Sequence, residues 1–168
     1  MISSEPLECK PYKRGKGVQH VRHLLICGDI GSGKQTFINT LHGASAKEDL
    51  CSKICLHKYD TSDETRTYNA DGVVVLCDVT DKKFLEHAER WRMMIRKVVE
   101  SDRDIPIILV GNKIDMISDV HVGFVIGASL HKMASKMGYD GWHVASCLNL
   151  QDVLPIVEDA SKRIYIRE

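Results

Sequence analysis

The chain predicts an α/β fold of three layers: a mainly parallel sheet of about five strands with helices on both faces. Three observations carry the prediction. Continuous apolar runs of strand length recur at Leu24–Cys27, Val73–Cys77 and Ile105–Val110. Segments with apolar residues three and four apart follow these runs. A glycine-rich turn, Gly28-Asp-Ile-Gly31-Ser-Gly33, joins the first run to the first helical pattern. Strands without polar alternation are buried on both faces, and intervening helices cover them through right-handed crossovers.

Taken in order, Leu24–Cys27 opens the sheet. Val73–Cys77 is followed by Phe84, Ala88, Trp91, Ile95 and Val98, which form one stripe of an amphipathic helix. Ile105–Val110 repeats the strand signal, and Ile126, Leu130, Met133 and Met137 repeat the helical one, closed by Gly138 as a C-cap. A short strand at Trp142–Ala145 precedes a last helix carrying Val153, Val157, Ala160 and Ile164. Residues 1–17 hold Lys10, Lys13, Arg14 and Lys16 with no periodicity, and read as a flexible basic arm ahead of a single domain at 18–168.

With 168 residues, 43% of them hydrophobic, the chain is long enough for one buried core. Its formal net charge of +0 supplies no global field to draw it onto nucleic acid or an anionic membrane. Of the 6 cysteines, Cys27 and Cys77 lie in apolar runs where small buried thiols are common, so the expectation is a reducing compartment. No run approaches a membrane span and no apolar signal core opens the chain, so a cytoplasmic protein is expected.

The candidate ligand site begins at the glycine turn. Glycines 28, 31 and 33 let a run of N–H groups turn inward, and the start of the next helix adds its partial positive charge. Phosphate is the natural occupant, with Asp29 and Ser32 in the loop and Lys34 placed to reach the outer phosphates. The pattern GxxxxGK[ST] is broken at Gln35, where a hydroxyl would hold Mg²⁺; Thr36 sits about 100° round the helix, and its backbone N–H is assigned to the α-phosphate. Magnesium is therefore expected to bind weakly at Gln35. The second stretch is Asn112-Lys113-Ile-Asp115, directly after a strand. A carboxylate in the plane of a purine accepts from guanine N1–H and the 2-amino group, and adenine offers neither donor. A phosphate-loop kinase or ATPase is disfavoured for that reason.

These two stretches at their spacing resemble the Ras/Rab superfamily of small GTPases, over residues 18 to 166. Asp60-Thr61 stands at the DTAGQ position, Cys77-Asp-Val-Thr-Asp81 is similar to a Rab-type YDVTD, and Ala145-Ser146-Cys147 stands where the family writes SAK. The resemblance implies a phosphate-loop NTPase fold, GTP or GDP as ligand, Asp60 as a second donor to the weak magnesium site beside Gln35, and further site roles by position. Asn112 braces the loops, Lys113 lays its stem along the base, and the Ser146 N–H points at guanine O6. Cys147 replaces the family's lysine and covers less of the base.

The switches depart from that pattern. Between Lys34 and Asp60 the chain is too short for the usual first switch and a further hairpin, and Gly43–Leu50 has no threonine. The first switch and its strand are expected to be shortened, as is the second. There, Asp63 replaces the glycine that senses the γ-phosphate, and Glu64 takes the place of the glutamine that orients water. Two carboxylates facing a polyanion disfavour the third phosphate. Ile30 adds bulk where the family keeps a small residue.

Cys51, Cys55 and His57 lack CxxC spacing and a fourth ligand, so no zinc site is expected. Arg90, Arg92, Arg96 and Lys97 read as a solvated helix face. The chain ends without the cysteines that are prenylated in Ras- and Rab-type proteins, and no stable membrane anchor is expected. The sequence thus predicts a guanine-nucleotide-binding protein of Ras/Rab type with slow or absent hydrolysis, acting on an unidentified effector. The alternative is a nucleotide-free scaffold.

Overall fold

The computed structural model describes residues 21–43, 54–59, 68–99 and 104–167. The basic arm, the segment after Gly43, and Asp60, Asp63 and Glu64 lie outside them. The elements run β1 (Arg22–Gly28), α1 (Lys34–Gly43), β2 (Ile54–Lys58), β3 (Gly72–Asp78), α2 (Phe84–Val98), β4 (Ile107–Asn112), a 3₁₀ turn (Ile114–Met116), α3 (Val120–Met137), β5 (Gly141–Ala145) and α4 (Leu150–Ile166). Among the described residues the sheet has 5 strands in the order β2-β1-β3-β4-β5, and every pairing is parallel.

Period-two alternation sends successive strand residues to opposite cores. On one side Leu25, Cys27, Val73, Val75 and Leu109 meet Ala88, Trp91 and Ile95 of α2 and Ile126 and Leu130 of α3. On the other, Leu24, Ile26, Val74, Leu76 and Ile108 meet Phe37 and Leu41 of α1 and Val153, Val157 and Ala160 of α4. The expected three layers are therefore present. Strand β4 starts at Ile107 rather than Ile105 because Pro106 has no N–H for the ladder, although its carbonyl accepts from Val73. Gly138 takes the left-handed conformation, φ 68°, that ends α3.

Two features differ from the sequence reading. The edge strand β2, Ile-Cys-Leu-His-Lys, is only partly buried and so carries no continuous apolar run. Cys27, Cys77 and Cys147 are free buried thiols, whereas Cys55 is disulfide-bonded, which the expectation of a reducing compartment did not anticipate. No helix among the described residues is long and apolar enough to cross a membrane.

Candidate functional site

The strand order reverses between β1, which leads left to β2, and β3, which leads right to β4 and β5. Loops leaving the carboxyl ends on either side of such a switch point part and leave a crevice. The phosphate-type loop leaves β1 there at Gly28, Asp78 ends β3, and Asn112 and Ala145 end β4 and β5 in mutual register.

Within the first loop Ser32 donates its N–H to the Asp29 carbonyl at 3.1 Å, and Phe37 donates to Gly33 at 2.9 Å. Gly33 has φ 101°, and a Cβ on it would lie 2.2 Å from Asn112 Nδ2, so both conformation and space demand glycine. Lys34 begins α1 and its ammonium curls back, donating to the carbonyls of Gly28 at 2.6 Å and Asp29 at 2.7 Å. A cavity of about 380 Å³ opens here, lined by Gly31, Gly33, Lys34, Gln35 and Thr36, with Lys58 on its wall. Ile30 stands beside it 93% exposed, a bulky apolar group at the cavity mouth.

Gln35 is turned away from a metal-ligand role. Its amide nitrogen donates to Asn39 Oδ1 at 2.9 Å, and its amide oxygen accepts from the Lys58 ammonium at 3.2 Å. The Asp29 side chain is held from α2: Arg90 donates to Oδ1 at 2.6 Å, Trp91 Nε1 to the same oxygen at 3.0 Å, and His87 Nδ1 lies 2.6 Å from Oδ2. Sequence reading missed this clamp and took Arg90 for part of a solvated face. The contact spans 61 positions, so helical periodicity carries no trace of it.

Asn112, 2% exposed, joins the two halves of the site. Its Nδ2 donates to the Ser32 carbonyl and its Oδ1 accepts from the Cys147 N–H, both at 2.8 Å. Lys113 follows at φ 69°, and its ammonium meets Asp78 Oδ2 at 2.5 Å. Burial pulls the Asp78 carboxyl upward, but hydrogen bonds from Lys113 and Thr80 outweigh it and hold the group below the ordinary carboxylate range. Asp115 sits exposed in the 3₁₀ turn.

The third loop departs from the positional expectation. The Ser146 N–H, assigned to guanine O6, donates to Asp152 Oδ2 at 2.8 Å. Cys147 is 2% exposed and packs among the α1 and α4 core residues rather than covering a base; burial raises its thiol from 9.0 to about 12. Ala145 is core. Gly28, Asp29, Gly31, Ser32, Gly33, Lys34, Asn112, Lys113 and Asp115 thus gather at one end of the sheet, whereas Asp60 and Glu64 lie outside the described residues.

The sequence model of the Ras family matches residues 56–153. The chain belongs to the Ras family. Its relatives within the Ras- and Rab-related group are distant. It is 28% identical over 144 residues to a Ras and EF-hand domain-containing protein of Danio rerio, covering 71% of this chain and 21% of that protein. It is 23% identical over 159 residues to human Ras-related protein Rab-44, covering 80% of this chain and 15% of the relative. Human Ras-related protein Rab-7b is 28% identical over 118 residues, 55% of this chain and 59% of that protein. The chain therefore spans about a fifth or less of the first two relatives.

Proposed function

We propose that this Ras-family chain binds guanine nucleotide in the crevice between Gly33 and Asp115, with slow or absent GTP hydrolysis. The Asn112 bridge carries the reading. It ties the phosphate-type loop to the base-type loop through buried hydrogen bonds, and a fixed distance between those loops is what a diphosphate joined to a purine requires. Lys34 and the inward-turning glycine loop support the phosphate end. Asp115 supports selection of guanine over adenine.

The described residues do not fit magnesium. Gln35 brings an amide oxygen where a hydroxyl would bind the ion, and a cation already hydrogen-bonds to that oxygen. Asp60, the other expected donor, lies outside the described residues. Turnover is further disfavoured by Ile30 at the cavity mouth and by the replacement of the water-orienting glutamine with Glu64.

Titration with fluorescent GDP, GTP and ATP, in magnesium and in EDTA, tests this. GDP and GTP bind with about micromolar affinity or tighter, within about threefold of each other, and EDTA changes little; ATP binds at least about 100-fold more weakly. Much tighter GTP binding, or turnover at ordinary small-GTPase rates, would refute the switch reading. A nucleotide-free scaffold is the second reading, and the Ser146 N–H already satisfied by Asp152 favours it. Absence of binding at millimolar nucleotide would leave only that.

A further inference from the structure

We propose that His23, His57 and reduced Cys55 form a zinc site at the amino-terminal end of the β1–β2 edge, open to metal only when the Cys55 disulfide is reduced. Strand register builds it. His23 is the Cα partner of Cys55, and Leu25 that of His57. Residues two apart share a face, so His23 projects on the same side as Cys55 and His57. Their ligand atoms all lie within 4.8 Å of one another. His23 Nδ1 is 2.8 Å from His57 Nε2, and the rings stack at 5.1 Å with 28° between their planes. Asp71 steadies the backbone at this point, accepting from the His23 N–H at 2.8 Å.

Zinc bonds of about 2.0–2.1 Å to nitrogen and about 2.3 Å to sulfur, in a tetrahedron, place ligand atoms roughly 3.3–3.6 Å apart. The two imidazole nitrogens must part by about half an ångström, and the sulfur, now within 4.8 Å of them, must settle in that range of both. Side-chain rotation on two rigid strands supplies both. A set of two imidazoles and one thiolate favours zinc over magnesium or calcium. The histidine donating the present hydrogen bond moves that proton to its other ring nitrogen, leaving both facing nitrogens with lone pairs for the metal.

The sulfur sets the condition. Cys55 is disulfide-bonded and in that state carries no thiolate. A two-electron reductant, a dithiol in a cell or a phosphine in vitro, breaks the S–S bond to two thiols and is itself oxidised. The Cys55 thiol then releases its proton to solvent as the Zn–S bond forms. A water takes the fourth position. None of the three ligands lines the nucleotide crevice, so the proposal stands apart from nucleotide binding.

Cobalt(II) titration of the whole chain, before and after phosphine reduction, provides the test. Reduced protein develops a thiolate-to-cobalt charge-transfer band and tetrahedral visible bands, saturating at one equivalent and bleached by one equivalent of zinc; oxidised protein develops neither. Cys55→Ser removes the charge-transfer band, and His23→Gln or His57→Gln weakens zinc binding at least about tenfold in a chelator competition. No band from the reduced wild type, or a band that survives Cys55→Ser, overturns the proposal. The wild-type comparison decides without relying on any variant's folding.

Discussion

The buried side-chain amide of Asn112 serves two loops at once. Removing it strands the Ser32 carbonyl and the Cys147 N–H without partners. Each unsatisfied buried group costs about 1–3 kcal/mol. Asn112→Ala therefore lowers the urea midpoint and abolishes nucleotide binding, while nucleotide affinity surviving unchanged would separate the bridge from the site. The loop glycines provide a second comparison. Gly31 has φ 79° but nothing within 4 Å of a built Cβ, so Gly31→Ala carries backbone strain alone, about 1–2 kcal/mol. Gly33→Ala carries that strain and collides with Asn112 as well, and should lose clearly more stability on the same denaturation curve. Equal losses would mean the close approach is not what fixes Gly33.

Among the elements, α3 depends on a missing side chain in β4. Gly111 precedes Asn112, and a Cβ there would lie 2.5 Å from Leu130 Cδ1 and 2.8 Å from Val79 Cγ1. Leu130 reaches this far onto the sheet because Gly111 offers no bulk. Gly111→Ala forces α3 outward at about 1–3 kcal/mol and shifts the adjoining base-side loop. Denaturation gives the first quantity and guanine affinity the second; an undisturbed affinity would show that the loop position does not follow the helix. The same scale explains a missed contact. Arg90 lies on the polar face of α2 and is exposed as periodicity expects, yet its guanidinium also reaches Asp29 just past β1.

For the molecule as a whole, both cores hold thiols that burial keeps neutral to higher pH than a free side chain. Burial lifts Cys27, Cys77 and Cys147 from 9.0 to about 12, and burial also raises Tyr139. The folded values exceed the unfolded ones. Their stabilisation is therefore complete below about pH 9 and declines as pH rises toward 12, because the unfolded chain alone sheds those protons. Each thiol contributes a slope of up to about 1.4 kcal/mol per pH unit. Urea midpoints should hold steady to about pH 8.5 and fall steeply by about pH 10.5. A flat profile across that interval would contradict the burial of these groups.

What the sequence determined by itself was local and periodic: among the described residues, four of the five strands, all four helices including the α3 C-cap, and the two loops that mark the site. Apolar spacing and glycine placement carry that information because they act within a few residues of themselves. Ile54–Lys58 stayed hidden since a half-exposed edge strand needs no apolar run. Only the tertiary structure decided which distant groups meet: Asn112 with Ser32 and Cys147, Asp152 with the Ser146 N–H, Arg90 with Asp29, and His23 with Cys55 and His57. Those meetings depend on strand order and register, which emerge when separate elements bury their apolar faces together, and no single stretch of chain encodes them.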